Sequence, residues 1–175
     1  MVLSTMFISI RLNSGLMAKI STGASFLNAF LEGGYDLDIV TTVFGPAGSG
    51  KTNLCLVASV AMAASGKKVL FLDTEGGIAV ERLNQISKGN SAILERILFF
   101  NPLTFAEQKE VFTRLKEEVN GHIGLIVVDS ISMLYRLELG GSEEVYDTNA
   151  ALGKQIASLV EIARKKKIPV LLTSQ

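Results

Sequence analysis

The chain has 175 residues and a mass of 18.8 kDa, the size of one domain. It is 48% hydrophobic and 19% charged, a globular rather than a disordered composition. Its 17 Lys and Arg balance its 17 Asp and Glu, which argues against a protein that holds nucleic acid by bulk charge alone and leaves room only for a local basic groove. One cysteine, Cys55, and one histidine, His122, exclude disulfide scaffolds, zinc ribbons and thiol–disulfide oxidoreductases. Apolar runs such as Leu125–Val128 and Val170–Leu172 fall far short of the ~20 residues of a spanning helix. No membrane association is expected, and the expected compartment is the reducing cytoplasm.

Residues 1–16 carry one charge, Arg11, and an apolar stretch, Met6–Ile10, too short for a secretory signal. Met17 is therefore read as a plausible start, with residues 1–16 as an upstream translation or a loose tail and 17–175 as the domain. From Ile20 onward strand and helix patterns alternate, which predicts an α/β fold with a mostly parallel sheet flanked by helices. Ser25–Leu31 is a short helix stopped by Gly33-Gly34. Ile39–Phe44 is the first strand, Gly50–Ala64 a helix, Lys68–Leu72 the second strand and Val80–Ile86 a helix. Ile97–Phe100 is the third strand. Thr104–Glu118 is an amphipathic helix with Phe105, Val111, Phe112 and Leu115 on roughly one face. Ile123–Val128 is the fourth strand, Thr148–Lys166 a long helix with a cationic end, and Val170–Thr173 the fifth strand.

Gly45-Pro46-Ala47-Gly48-Ser49-Gly50-Lys51-Thr52 matches G-x-x-x-x-G-K-[ST] in full, between a strand and a helix. In such a loop glycines let the backbone wrap a phosphate and aim its N–H groups inward. The helix dipole adds positive potential at the same place. Lys51 supplies a full charge to the β- and γ-phosphates, and Thr52 offers a hydroxyl to Mg²⁺. Leu125-Ile126-Val127-Val128-Asp129 is an apolar strand ending in a carboxylate, the pattern of a residue that holds Mg²⁺ beside a phosphate loop. At the mouth of the second strand, Glu75 is the favoured base to orient water for hydrolysis, with Asp73 as competitor or as a turn acceptor. Gln175, at the end of the fifth strand, is either a γ-phosphate sensor or an ordinary strand-end residue.

Five segments in order, STGASFLNAFLEGG, FGPAGSGKT, LFLDTEGGIAVERL, LIVVDSISMLYR and IPVLLTSQ, resemble the ATPase core of the RecA/RadA recombinase family. Within it the resemblance is to the archaeal RadB group, short paralogues of RadA without its extra N-terminal helix–hairpin–helix domain. It covers about residues 19–175. KaiC-like ATPases share the first segment and the loop but typically carry paired glutamates where this chain has Thr74-Glu75. The resemblance implies that Glu75 activates water, that Gln175 couples the γ-phosphate to a DNA-binding loop and that Arg82 stacks on adenine. Thr52 and Asp129 would manage Mg²⁺.

Two departures from the family pattern bear on function. Leu137–Asn149 corresponds to the first DNA-binding loop, yet holds Glu138, Glu143, Glu144 and Asp147 and no Lys or Arg, leaving Arg136 as the cation at its start. Direct phosphate contact there is not expected, because counterion release needs cations. In the family the strand order is 3-2-4-5-1-6-7-8. This chain supplies strands one to five, so Ile39–Phe44 is expected as an open apolar edge and the sequence as incomplete after Gln175. Phe26-Leu27-Asn28-Ala29 fits the F-x-x-A pattern of recombinase polymerisation but is read as core packing in the first helix. Cys55 is read as a core thiol, His122 as a surface or turn residue, Lys165–Lys167 as a helix C-terminus and Lys67-Lys68 as a turn.

The resemblance implies an ATP-binding, DNA-dependent recombinase paralogue of homologous recombination and DNA repair, with weak hydrolysis and ATP and Mg²⁺ as cofactors. Implied partners are single-stranded or damaged DNA through a segment beyond Gln175, a RadA-like recombinase, and a second copy of the chain. The alternatives are a nucleotide-gated mediator that binds a RadA-like partner without turnover, and a KaiC-like signalling ATPase.

Overall fold

A computed structural model of the chain describes residues 7–9, 18–119, 121–139 and 145–175. In chain order the elements are β1 (Phe7–Ser9), β2 (Lys19–Ile20), α1 (Ser25–Phe30), β3 (Tyr35–Asp36), β4 (Val40–Phe44), α2 (Lys51–Ala64), β5 (Lys68–Asp73) and α3 (Val80–Ser87). They continue as α4 (Ser91–Leu94), β6 (Ile97–Phe100), α5 (Phe105–Glu118), β7 (Ile123–Asp129), α6 (Met133–Leu139), α7 (Val145–Lys166) and β8 (Val170–Ser174).

The main sheet has the order β1-β4-β8-β7-β5-β6, and every pair except β1–β4 is parallel. β5 and β7 are near-continuous apolar runs because both their faces are covered. Side chains alternate across the sheet with period two. Val69, Phe71, Leu125, Val127 and Leu171 pack under α1–α4. Leu70, Leu72, Ile126, Val128, Val170 and Leu172 pack under α5 and α7. Each such aliphatic side chain contributes about 1.5–3 kcal/mol on burial, which sets these central strands as the rigid base of the molecule.

Local chemistry fixes the helix ends. Thr104 caps α5 by accepting from Glu107 N at 3.1 Å, while Glu107 Oε2 accepts from Leu103 N at 2.8 Å. α7 ends in Arg164, Lys165 and Lys166, cations that suit its negative pole, as the sequence predicts. It begins three residues earlier than predicted, at Val145.

Two expectations are corrected. The β4 edge is not open: β1 pairs with it antiparallel, Phe7 opposite Phe44, Ile8 opposite Val43 and Ser9 opposite Thr42. Three residues of the segment read as a loose tail therefore belong to the sheet, satisfying backbone groups that an edge leaves unpaired. The rest of residues 1–16 lies outside the described residues. In α1, Leu27 is buried at 3% exposure but Phe26 is 71% exposed and Ala29 is exposed, so of the F-x-x-A segment Leu27 packs in the core while the Phe and Ala that define the pattern do not. A short helix buries one stripe only, and Leu27 with Leu31, four residues on, takes that side. Cys55 is fully buried, and burial together with the Asp129 carboxylate pushes its thiol well above the ordinary range, so it is an inert core group.

Candidate functional site

Parallel pairing puts the C-terminal ends of β4, β8, β7 and β5 on one side of the sheet. Neighbouring strands lie about 4.8 Å apart, so these four tips span about 15 Å. Phe44 is in register with Ser174, and Asp73 with Asp129. The phosphate-loop sequence leaves β4 at this edge and enters α2, whose N-cap is Gly50.

Within the loop, Gly48 (φ 74°) and Gly50 (φ 92°) adopt left-handed backbone that only glycine takes without strain. A Cβ on either would meet nothing within 4 Å, so the loop borders open space. Lys51 is 5% exposed and its Nζ donates to Gly45 O and Pro46 O, both at 2.9 Å. Its ammonium is thus held on neutral carbonyls, and among the described residues no carboxylate forms an ion pair with it. Ser49 Oγ is buried and has no hydrogen-bond partner. Gly45 N donates to Ser174 O at 3.3 Å, tying the loop to β8.

The tips of β5, β7 and β8 form a hydrogen-bonded row. Asp129 is 1% exposed and accepts from the Thr173 hydroxyl through Oδ1. Thr74 N donates to Asp129 O at 2.8 Å, Thr74 Oγ1 donates to Ser130 O at 2.7 Å, and Ser130 N donates to Thr74 Oγ1 at 2.9 Å. The Asp129–Ser130 peptide is cis, and Ser130 Oγ is a second buried atom without a partner. Asp73 takes the turn role left open by the sequence: Oδ1 accepts from Glu75 N at 3.1 Å and Gly76 N at 2.8 Å, and Oδ2 from Asn101 Nδ2 at 3.5 Å. Burial raises the Asp73 carboxyl above its ordinary value, with the Asp129 charge adding to the shift and the backbone N–H bonds opposing it.

With Asp73 facing its own turn, Glu75 is the exposed carboxylate at the mouth of β5. Its Oε1 accepts from Gln175 Nε2 at 3.2 Å across 100 positions of sequence. The structure thus brings Glu75 and Gln175 together. Arg82, on α3, lies beside the first turn of α2: its Nε donates to Asn53 Oδ1 at 2.8 Å and its Nη1 to Gln85 Oε1 at 3.2 Å.

Leu137–Asn149 divides between the end of α6 and the start of α7, and residues 140–144 lie outside the described residues. Arg136 Nε donates to Ser132 O at 3.3 Å, and the Tyr135 hydroxyl donates to Asn149 Oδ1. The partners Thr173, Asn53 and Asn101 were not singled out by the sequence, and Thr74 only as part of the Thr74-Glu75 pair. Only Asn53 carried a signal there, since it follows the loop threonine directly. Among the described residues no group of three His, Cys, Asp or Glu side chains could hold a metal ion, and no helix is long and apolar enough to cross a membrane.

A phosphate loop at the end of the first parallel strand, with strand order 3-2-4-5-1 counted from β6 to β4 by chain position, defines a RecA-like P-loop NTPase fold. The family follows from comparison. The Rad51 family profile matches residues 14–175, and the chain belongs to the Rad51 family. It is 40% identical over 151 residues to the DNA repair and recombination protein RadB of Methanococcus maripaludis strain C7, covering 85% of this chain and 69% of that protein. RadB of Thermococcus kodakarensis is 40% identical over 160 residues, 89% of this chain and 70% of the relative. Among solved structures, a RadB recombinase superposes with a TM-score of 0.75 at 40% identity, covering 89% of this chain and 69% of that one. The chain is therefore shorter than the relatives it matches.

Proposed function

We propose that this chain is the ATP-binding core of a RadB-type recombinase paralogue acting in homologous recombination and DNA repair, with slow ATP hydrolysis. The observation that carries the proposal is the join of an open phosphate loop to a Glu75–Gln175 pair at the adjacent strand tips. The residues present fit a nucleotide: positive-φ glycines border open space, Lys51 rests on neutral carbonyls, and Ser49 Oγ has no partner. Residues Gly45 to Thr52 would receive the phosphates, Lys51 would move from the Gly45 and Pro46 carbonyls to phosphate oxygen, and Arg82 would face the adenine. Thr52 and Asp129 would hold Mg²⁺, which when bound offsets negative charge on the phosphates. Glu75 would orient a water for in-line attack on the γ-phosphorus and take its proton, releasing ADP and phosphate. Gln175, released from Glu75 by a γ-phosphate, would carry nucleotide state towards DNA.

The proposed partners are single-stranded or damaged DNA, a RadA-like recombinase and a second copy of the chain. A mediator that binds a RadA-like recombinase without turnover is the second reading. It is favoured by the segment 137–149, whose sequence carries four acidic residues and no Lys or Arg. Fluorescence anisotropy of labelled single-stranded DNA, with and without ATP·Mg²⁺, on the complete gene product with the 175-residue chain as control, separates the two. The recombinase reading predicts ATP-dependent binding that weakens with salt. Nucleotide binding with no DNA binding at any salt would transfer the case to the mediator.

A further inference from the structure

Arg82 is exposed yet held by two side chains. Its Nε is spent on Asn53 Oδ1 at 2.8 Å, from α2, and its Nη1 on Gln85 Oε1 at 3.2 Å, from the next turn of α3. Bonds to guanidinium N–H groups lie in the plane of the group. Together they restrict rotation of that plane without covering its faces, and a guanidinium face is what a nucleobase stacks on. Asn53 lies one position beyond Thr52, on the first turn of the helix that follows the phosphate loop. The clamp therefore joins the phosphate-binding helix to the base-facing helix. Neither partner carries charge, so neither neutralises the guanidinium.

We propose that Asn53 and Gln85 are positioning residues for base recognition, presenting Arg82 face-on to the adenine ring. The inference rests on the nucleotide site proposed above and adds how this chain builds its base platform. Fixing the arginine beforehand removes an ordering cost from nucleotide binding, so the clamp acts on affinity for the base and not on the phosphates.

The test is a pair of calorimetric titrations of the full chain, with ATP·Mg²⁺ and with tripolyphosphate·Mg²⁺, which lacks a base. Asn53→Ala is expected to weaken ATP binding about tenfold, or 1.4 kcal/mol, and to leave tripolyphosphate binding unchanged. Asn53→Gln keeps a neutral amide acceptor and should recover ATP affinity. In an Arg82→Ala background, Asn53→Ala should add nothing further, because a residue acting only through Arg82 has nothing left to position. A parallel loss of tripolyphosphate binding, or an undiminished loss in the Arg82→Ala background, would overturn the clamp. So would wild-type ATP affinity in Asn53→Ala. If the unmodified chain bound neither ligand, the nucleotide site itself would fall, and the clamp with it.

Discussion

Glu75 and Asp73 are two carboxylates at one strand mouth, and their surroundings separate their roles. Asp73 is folded into its own turn by Glu75 N and Gly76 N, whereas Glu75 points outward to Gln175. Replacing Glu75 by Gln keeps the side chain's size and removes its basicity. Single-turnover hydrolysis should fall by about 10²–10⁴-fold while ATP·Mg²⁺ affinity persists. Undiminished hydrolysis in Glu75→Gln would take the base role from this residue. Asp73 makes a prediction about stability. Its carboxyl is raised by burial and by Asp129, so the folded state holds its proton more tightly than the unfolded chain, and its contribution to stability falls as pH rises above 3.8. Asp73→Asn keeps an Oδ1 acceptor for the turn. Its melting temperature should exceed the wild type's at neutral pH, with the gap closing below pH 3.8. A gap that widened in acid would contradict the sign.

At the scale of elements, α1 shows how helical periodicity decides what a motif means. Leu27 and Leu31 are buried while Phe26 and Phe30 stand 71% and 72% exposed. Leu27→Ala should cost about 3 kcal/mol, or about 6–12 °C in melting temperature. Phe26→Ser should stay within about 0.5 kcal/mol of wild type. Equal losses at the two positions would mean that Phe26 packs after all. The parallel strands were legible because continuous apolar runs between turn signals leave few alternatives, and β6 begins and ends where the sequence predicts. The β2–β3 pair was not, because a two-residue strand carries no period to read. α6 was hidden for a similar reason, since its seven residues, Met133–Leu139, make only about two turns. Gln108 went unremarked on α5 because it is polar, yet it is fully buried and donates to Gln155 Oε1 at 2.7 Å, joining α5 to α7. Partners of that kind, 47 positions apart, leave no local signature.

For the whole molecule, parallel pairing gathers distant residues at one end of the sheet. Lys51, Glu75, Asp129 and Gln175 follow four different strands or end them, and the order β4-β8-β7-β5 sets them side by side. The loop was legible residue by residue because its chemistry is local. The Glu75–Gln175 contact was not, because it depends on β7 and β8 lying between β5 and β4. β1 is a further product of the whole fold: its three residues have no strand pattern strong enough to read, and the apolar edge of β4 gives them a partner. On the proposed function, this end of the sheet binds ATP through the phosphate loop. Titrating the chain and its Lys51→Ala variant with ATP·Mg²⁺ in a calorimeter tests it most directly. Saturable one-to-one binding that weakens by at least about 30-fold in Lys51→Ala is the predicted result. Equal affinity in the two proteins, or no heat of binding in the unmodified chain, would contradict it.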